Sequence, residues 1–186
     1  MIRGLFANPL IKFLIVAGLL LLGWNLLYEL YLHPHTRLDR YVIDNLIFFS
    51  THLLEALGYE LMPAPPAAQQ IRTIGIDGSI GVWIGDPCNG ITLFALFFIF
   101  MLAYPGPVLK KLWYIPLGLV IIHIVNIIRI SALTIIVDID PNWLDFNHNY
   151  TFYVFVYSAV FALWYFWAFK LSGEKLTNKK SDEQMA

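Results

Sequence analysis

Charged side chains are scarce in this sequence. Asp, Glu, Lys and Arg make up 13% of the 186 residues, about half the ~25% usual in a soluble globular domain. With 59% hydrophobic residues and a mean hydropathy of +0.65, that shortage excludes a soluble domain and implies a single multi-pass membrane domain. A basic excess is also missing: 12 Lys and Arg stand against 13 Asp and Glu, so no nucleic-acid partner is expected. Cysteine is nearly absent. The one present, Cys88, excludes an internal disulfide and any Cys-based metal cluster. His33, His35 and His52 match no ligand spacing, so neither metal nor cofactor is expected. Internal repeats and low-complexity segments are lacking. The first apolar run is too long for the core of a signal peptide and has no small-residue cleavage site, so it is expected to stay in the chain.

What is abundant is long apolar runs. Four spans are expected, at about 10–32, 88–104, 113–137 and 150–171, set against ~30 Å of hydrocarbon. The second is short but sufficient with interfacial anchors, and six Trp and ten Tyr are available for such belts. Between the first two spans, Thr36 can cap an amphipathic helix over 37–57, stopped by Gly58. Its apolar residues recur at helical spacing, interrupted by Asp39, Arg40, Asp44 and Glu55. Pro63 to Pro66 then break the chain. Two β-rich runs around Asp77-Gly78-Ser79 predict a hairpin over 70–85. The polar, lysine-bearing stretch 172–186 reads as a disordered cytoplasmic tail.

Topology follows from the positive charges. If 37–57 does not cross, Arg3, Lys12, Lys110, Lys111 and the C-terminal lysines share the cytoplasmic face. If it does cross, the lysines near 110 and 170–180 face outward, against the positive-inside bias. The expected fold is therefore an all-α membrane protein, one domain over 1–171. It has four transmembrane helices, one outer interfacial amphipathic helix and a small extracytoplasmic β-hairpin, with both termini cytoplasmic. Cys88, the hairpin and the 138–149 loop lie outside.

That placement gathers three reactive side chains. In Asp86-Pro87-Cys88-Asn89-Gly90, Asp86 suits an N-cap and Pro87 the first helical position, which puts Cys88 in the first turn of the next helix. Free N–H groups and the positive dipole end favour a thiolate there. The plainer alternative is one more small apolar residue at a helix end. Arg129 is the one full charge within a span, costing about 2.5–3.5 kcal/mol at a bilayer centre. Asn126 shares its helical face. Its structural alternative is an ion pair inside the bundle, for instance with Glu55 or Asp145. His148, at the outer start of the last span, could serve as general base oriented by Asp145; alternatively it is an interfacial capping residue. His123 lies near mid-membrane, where a packed, hydrogen-bonded role suits it best. Together a thiol nucleophile, a base and a fixed cation form an acyl-transfer constellation.

The segments Cys88-Asn89-Gly90-Ile91 and Asn126-Ile127-Ile128-Arg129-Ile130, followed by His148, resemble the exosortase/archaeosortase family. The resemblance covers roughly residues 70–170 and is greatest to the short bacterial forms, the F-type among them. Asn89 departs from the family pattern, which usually reads Cys-Ser/Ala-Gly. The resemblance implies a cysteine protease–transpeptidase with Cys88 as nucleophile, His148 as general acid/base and Arg129 as stabiliser of the oxyanion or substrate carbonyl. Asn126, Asn89 and Asp145 are the expected supporting residues. It further implies a bacterial inner membrane with the site facing the periplasm. The implied substrates are exported proteins carrying a C-terminal motif, a transmembrane helix and a basic tail, with polysaccharide-export components as partners beside membrane lipid. The main rival is a non-catalytic membrane scaffold or assembly factor of an export complex. A transporter is disfavoured, because four spans show no inverted repeat or paired broken helices.

Overall fold

The computed structural model describes residues 8–63 and 72–173. Helix α1 (Pro9–Leu27) starts where the Asn8 side chain accepts the Leu10 N–H and Pro9 takes a position needing no donor. It continues through a π turn, Tyr28–Leu32, into His33–His35. Helix α2 (Leu38–Ala56) follows Thr36, whose hydroxyl accepts the Leu38 N–H, and Gly58 at φ +91° turns the chain away from its end. Strands β1 (Thr73–Ile74) and β2 (Val82–Trp83) pair antiparallel around the expected Asp77-Gly78 turn, and Leu61 adds one bridge to Ile76. Three further helices follow: α3 (Ile91–Ala103), α4 (Val108–Ile139) and α5 (Phe152–Phe166). The last is the middle of a helical stretch running from Pro141 to Leu171.

Among the described residues, three helices are long and apolar enough to cross a membrane: Pro9–His35, Val108–Ile139 and Pro141–Leu171. The expected span at 88–104 is shorter than the sequence suggested. Gly90 sits at φ +86°, and Asp86–Cys88 form a separate 3-10 turn, so the helix begins only at Ile91. Thirteen residues give about 20 Å, well under ~30 Å of hydrocarbon. The third expected span is longer than 113–137 at its lower end, since helix α4 starts at Val108. Of the expected tail, residues 174–186 lie outside the described part, as do Ala64 to Pro66 and the first two residues of the hairpin segment. Ser172 is buried and bonds back to Ala168 and Trp167, so the ordered chain extends past the last span.

Helices α3, α4 and α5 share one core, in which Leu93, Phe97, Met101, Ile122, Val156 and Trp167 are buried. Gly118 permits that packing, since a Cβ there would sit 2.2 Å from the Phe97 ring. Helix α1 lies outside this core, packs on α3 and buries none of its residues. At one end of the bundle Phe13, Tyr104, Tyr114 and Trp167 come together, with Lys110 and Lys111 donating to the Leu171 and Tyr104 carbonyls.

The opposite end carries α2 and the hairpin. Ile43 and Leu54 of α2 pack with Ile74, Ile84 and Ile130, while Val82 packs with Leu133, Val137 and Phe152. Both halves of α2 thus contact the hairpin end, and its midpoint reaches down to His123 through Phe49. His123 is packed between Phe49 and Phe94, but its Nε2 has no hydrogen-bond partner, unlike the expectation for that residue.

Candidate active site

The turn that carries the cysteine is held from three directions. From the hairpin, Arg72 Nη1 donates to Asp86 Oδ1 at 2.7 Å. From α4, Asn126 Nδ2 donates to the Cys88 carbonyl at 3.2 Å. From α2, Asp39 Oδ1 accepts the Asn89 amide at 2.6 Å. Within the turn, the Cys88 N–H donates to Gly85 and the Asn89 side-chain oxygen accepts the Ile91 N–H. Gly90 is needed twice over. Its φ of +86° favours a residue without Cβ, and a Cβ would meet Asn126 Nδ2 at 2.9 Å.

These restraints place Cys88 Sγ 2.9 Å from His148 Nε2. On its other side Arg129 Nη2 donates to the same sulfur at 3.9 Å. The three residues come from the turn before α3, from α4, and from the π turn Asn147–Thr151 that leads into α5. A π turn widens the helix by one residue, a local cost often accepted where a side chain must be aimed. His148 Nδ1 faces Asn149 Oδ1 at 3.3 Å. An Nδ1–H donated there leaves the Nε2 lone pair directed at the thiol.

Asp145, the expected orienting carboxylate, is exposed and makes no hydrogen bond to His148. Asn149 occupies that role instead. The Asn149 contact falls inside the π turn Asn147–Thr151, one residue from His148. The thiol is also not in the first turn of α3, and the group beside it is the His148 imidazole.

Arg129 is 6% exposed. Among the described residues it forms no ion pair. The salt bridges are His33–Asp39, Arg40–Asp44 and Arg72–Asp86, so Glu55 and Asp145 do not neutralise it. Its Nε has no partner either. It lines a cavity of about 190 Å³ between α3, α4 and α5, with Leu93, Phe152, Val156 and Tyr157 in its walls and the exposed Thr92 and Tyr153 also lining it. A buried guanidinium beside a thiol, with an unused donor and an adjoining cavity, is arranged to receive an oxygen carrying negative charge.

The site sits well inside the molecule. Arg129 is ten residues before the end of α4 at Ile139, about 15 Å along the axis. The short α3 explains this depth, because its N-terminal turn stops level with Arg129 rather than at the helix ends.

Several contributors escaped the sequence reading, Asp39 chiefly. Its carboxylate takes the Tyr28 hydroxyl and the Asn89 amide on Oδ1, and His33 Nδ1 lies 3.1 Å from Oδ2. Burial pushes the carboxyl up, but the hydrogen bonds from Tyr28, His33 and Asn89 outweigh it and hold the group below its ordinary value. A signal existed. Asp39, Ile43, Leu46, Ser50 and Leu54 are the buried residues of α2 and recur at helical spacing, so Asp39 belongs to the apolar stripe it seemed to interrupt.

No family model matches the chain, and neither a curated protein nor a solved structure matches it.

Proposed function

We propose that this protein is a membrane-embedded, sortase-like cysteine peptidase–transpeptidase that cleaves the C-terminal sorting signal of exported proteins. The observation that carries this reading is one sulfur shared by two groups: His148 Nε2 at 2.9 Å and the otherwise unpartnered Arg129 guanidinium at 3.9 Å. His148 takes the thiol proton as Sγ attacks the scissile carbonyl carbon. The carbonyl oxygen becomes an oxyanion facing Arg129, whose charge is permanent and already in place. Collapse breaks the C–N bond, and His148 returns the proton to the leaving amine. The resulting thioester on Cys88 is then resolved by water or by an acceptor amine.

Among the described residues, three helices are long and apolar enough to cross a membrane, which supports a membrane protein. The finer topology belongs to the proposal: α3 forms a fourth, short span, and both termini face the cytoplasm of a bacterial inner membrane. Charge supports it. Lys110 and Lys111 lie at the Tyr104–Trp167 end, while Asp39 and Asp86 lie by Cys88, the end that also carries Arg72. On this reading Cys88 faces the periplasm, α2 rests in the outer interface, and a substrate helix lies against the cavity between α3 and α5. The substrate's basic tail would stay on the cytoplasmic side, and polysaccharide-export components would be functional neighbours. The scaffold reading requires Arg129 to be a structural ion pair, and the lack of a carboxylate partner among the described residues counts against it.

The deciding experiment is processing of an exported substrate by Cys88→Ala and Arg129→Ala in cells. Loss of processing with normal protein levels is expected for both. Normal processing by either variant would sink the proposal.

A further inference from the structure

Asp39 lies on α2, away from the thiol, and takes no part in the acyl transfer outlined above. Its surroundings are unusual for a carboxylate at the base of an amphipathic helix. It is buried, with donors from three separate places: Tyr28 near the end of α1, His33 beyond it, and Asn89 beside the cysteine. The Asn89 amide is thereby held at both ends. Its oxygen accepts the Ile91 N–H at 2.8 Å, and its nitrogen donates to Asp39 at 2.6 Å. Asn89 joins Cys88 to Gly90, and Gly90 is the point where the backbone reverses into α3. Rotation at Asn89 would therefore move the Cys88 sulfur relative to His148 and Arg129, which are fixed on other helices.

We infer that Asp39 is a positioning residue for Cys88: through the Asn89 side chain it fixes the turn that aims the thiol between His148 and Arg129. The inference rests on the peptidase reading for its consequence in catalysis, but the positional claim is independent of any substrate. It also gives α2 a role beyond covering the bundle, since this helix supplies the one carboxylate that reaches the residue after the nucleophile. The Asn at position 89 becomes intelligible as well. A Ser or Ala there could not span to Asp39 and cap Ile91 at once.

A pairwise exchange tests this in the full chain in membranes. The variants are Asn89→Asp, which sets two carboxylates against each other, Asp39→Asn, and the two together. Two rates are read: processing of substrate, and alkylation of Cys88 by iodoacetamide, which needs no substrate. Asn89→Asp is expected to lower both rates at least tenfold. Adding Asp39→Asn restores a donor opposite the new carboxylate and should bring both to within about threefold of the parent, because contacting residues are coupled and not additive. A double variant no faster than Asn89→Asp overturns the inference. So does one that recovers protein level but neither rate, since Asp39 would then be only structural. Failure of the peptidase reading is separately visible: Cys88→Ala would process substrate normally, while the alkylation rates still report whether Asp39 aims the thiol.

Discussion

Replacing Arg129 with Met separates a catalytic arginine from a structural one by the sign of two effects. Arg129 is 6% exposed and forms no ion pair among the described residues. Arg129→Met keeps the length of the stem and its packing against α3 and α5 while removing the charge. At a bilayer centre that charge costs about 2.5–3.5 kcal/mol. Since nothing neutralises it here, its removal should leave the fold as stable or more so, by up to about 2 kcal/mol after the lost contact to sulfur. For a chain of this size each kcal/mol moves Tm by ~2–4 °C, so an unchanged Tm or a rise of several degrees is expected in detergent or nanodiscs. Activity should move the other way. Removing one preorganised oxyanion donor costs about 2.7–4 kcal/mol in the transition state, a fall of ~100- to 1,000-fold in turnover. Breaking a buried ion pair would instead destabilise by about 3–5 kcal/mol. A Tm drop of ten degrees or more, with activity lost only in proportion to folded protein, would refute the reasoning. Arg129→Lys keeps the charge without the planar fork, and it should recover little of the lost turnover.

Three further outcomes follow from the same geometry. Gly90→Ala forces a Cβ into a positive-φ position and within 2.9 Å of Asn126 Nδ2; about 1–3 kcal/mol of stability should be lost, and turnover should fall more than the folded fraction does. Asn149→Ala should slow processing several-fold by freeing the His148 ring, and Asp145→Ala should slow it less, as parallel processing assays would show. Asp39 sets a pH dependence. Its carboxyl is held below its ordinary value, so its stabilisation is complete above the unfolded value of about 3.9 and is lost as pH falls through the folded one. His33, whose imidazole Asp39 holds above its ordinary value, adds the opposite limb: its share is complete below about 6.5 and is lost as pH rises, so the stability gap between the parent and Asp39→Asn should be widest between about pH 6 and 4 and narrow on both sides in titrations followed by intrinsic fluorescence.

The residues that meet in the site were legible separately and for different reasons. Arg129 stands out because a full charge inside an apolar run is costly, and Cys88 because it is the sole cysteine beside a Pro and a Gly. His148 was visible through its place at the start of a span. Their supports were less so. Asp145 is close to His148 in sequence, yet the side chain on the ring is that of Asn149. Asp39 read as an interruption of an amphipathic pattern, because a one-dimensional pattern cannot show that Asn89 arrives fifty positions later to receive it. The start of α3 was misplaced by three residues, since Asp-Pro is an ordinary helix opening and nothing local revealed that Gly90 would take a left-handed conformation first.

By itself the sequence determined the long apolar helices, the hairpin turn and the side chains that are candidates for the site. Those properties depend on hydrophobicity, length and charge, which are carried residue by residue. Tertiary structure decided the place of the thiol along the bundle, the absence of a counter-ion for Arg129 among the described residues and the contact of α2 with the cysteine turn. Each of these depends on which side chains converge from distant positions. A short α3 lowers Cys88 to the level of Arg129, and a carboxylate on α2 reaches across to hold it there.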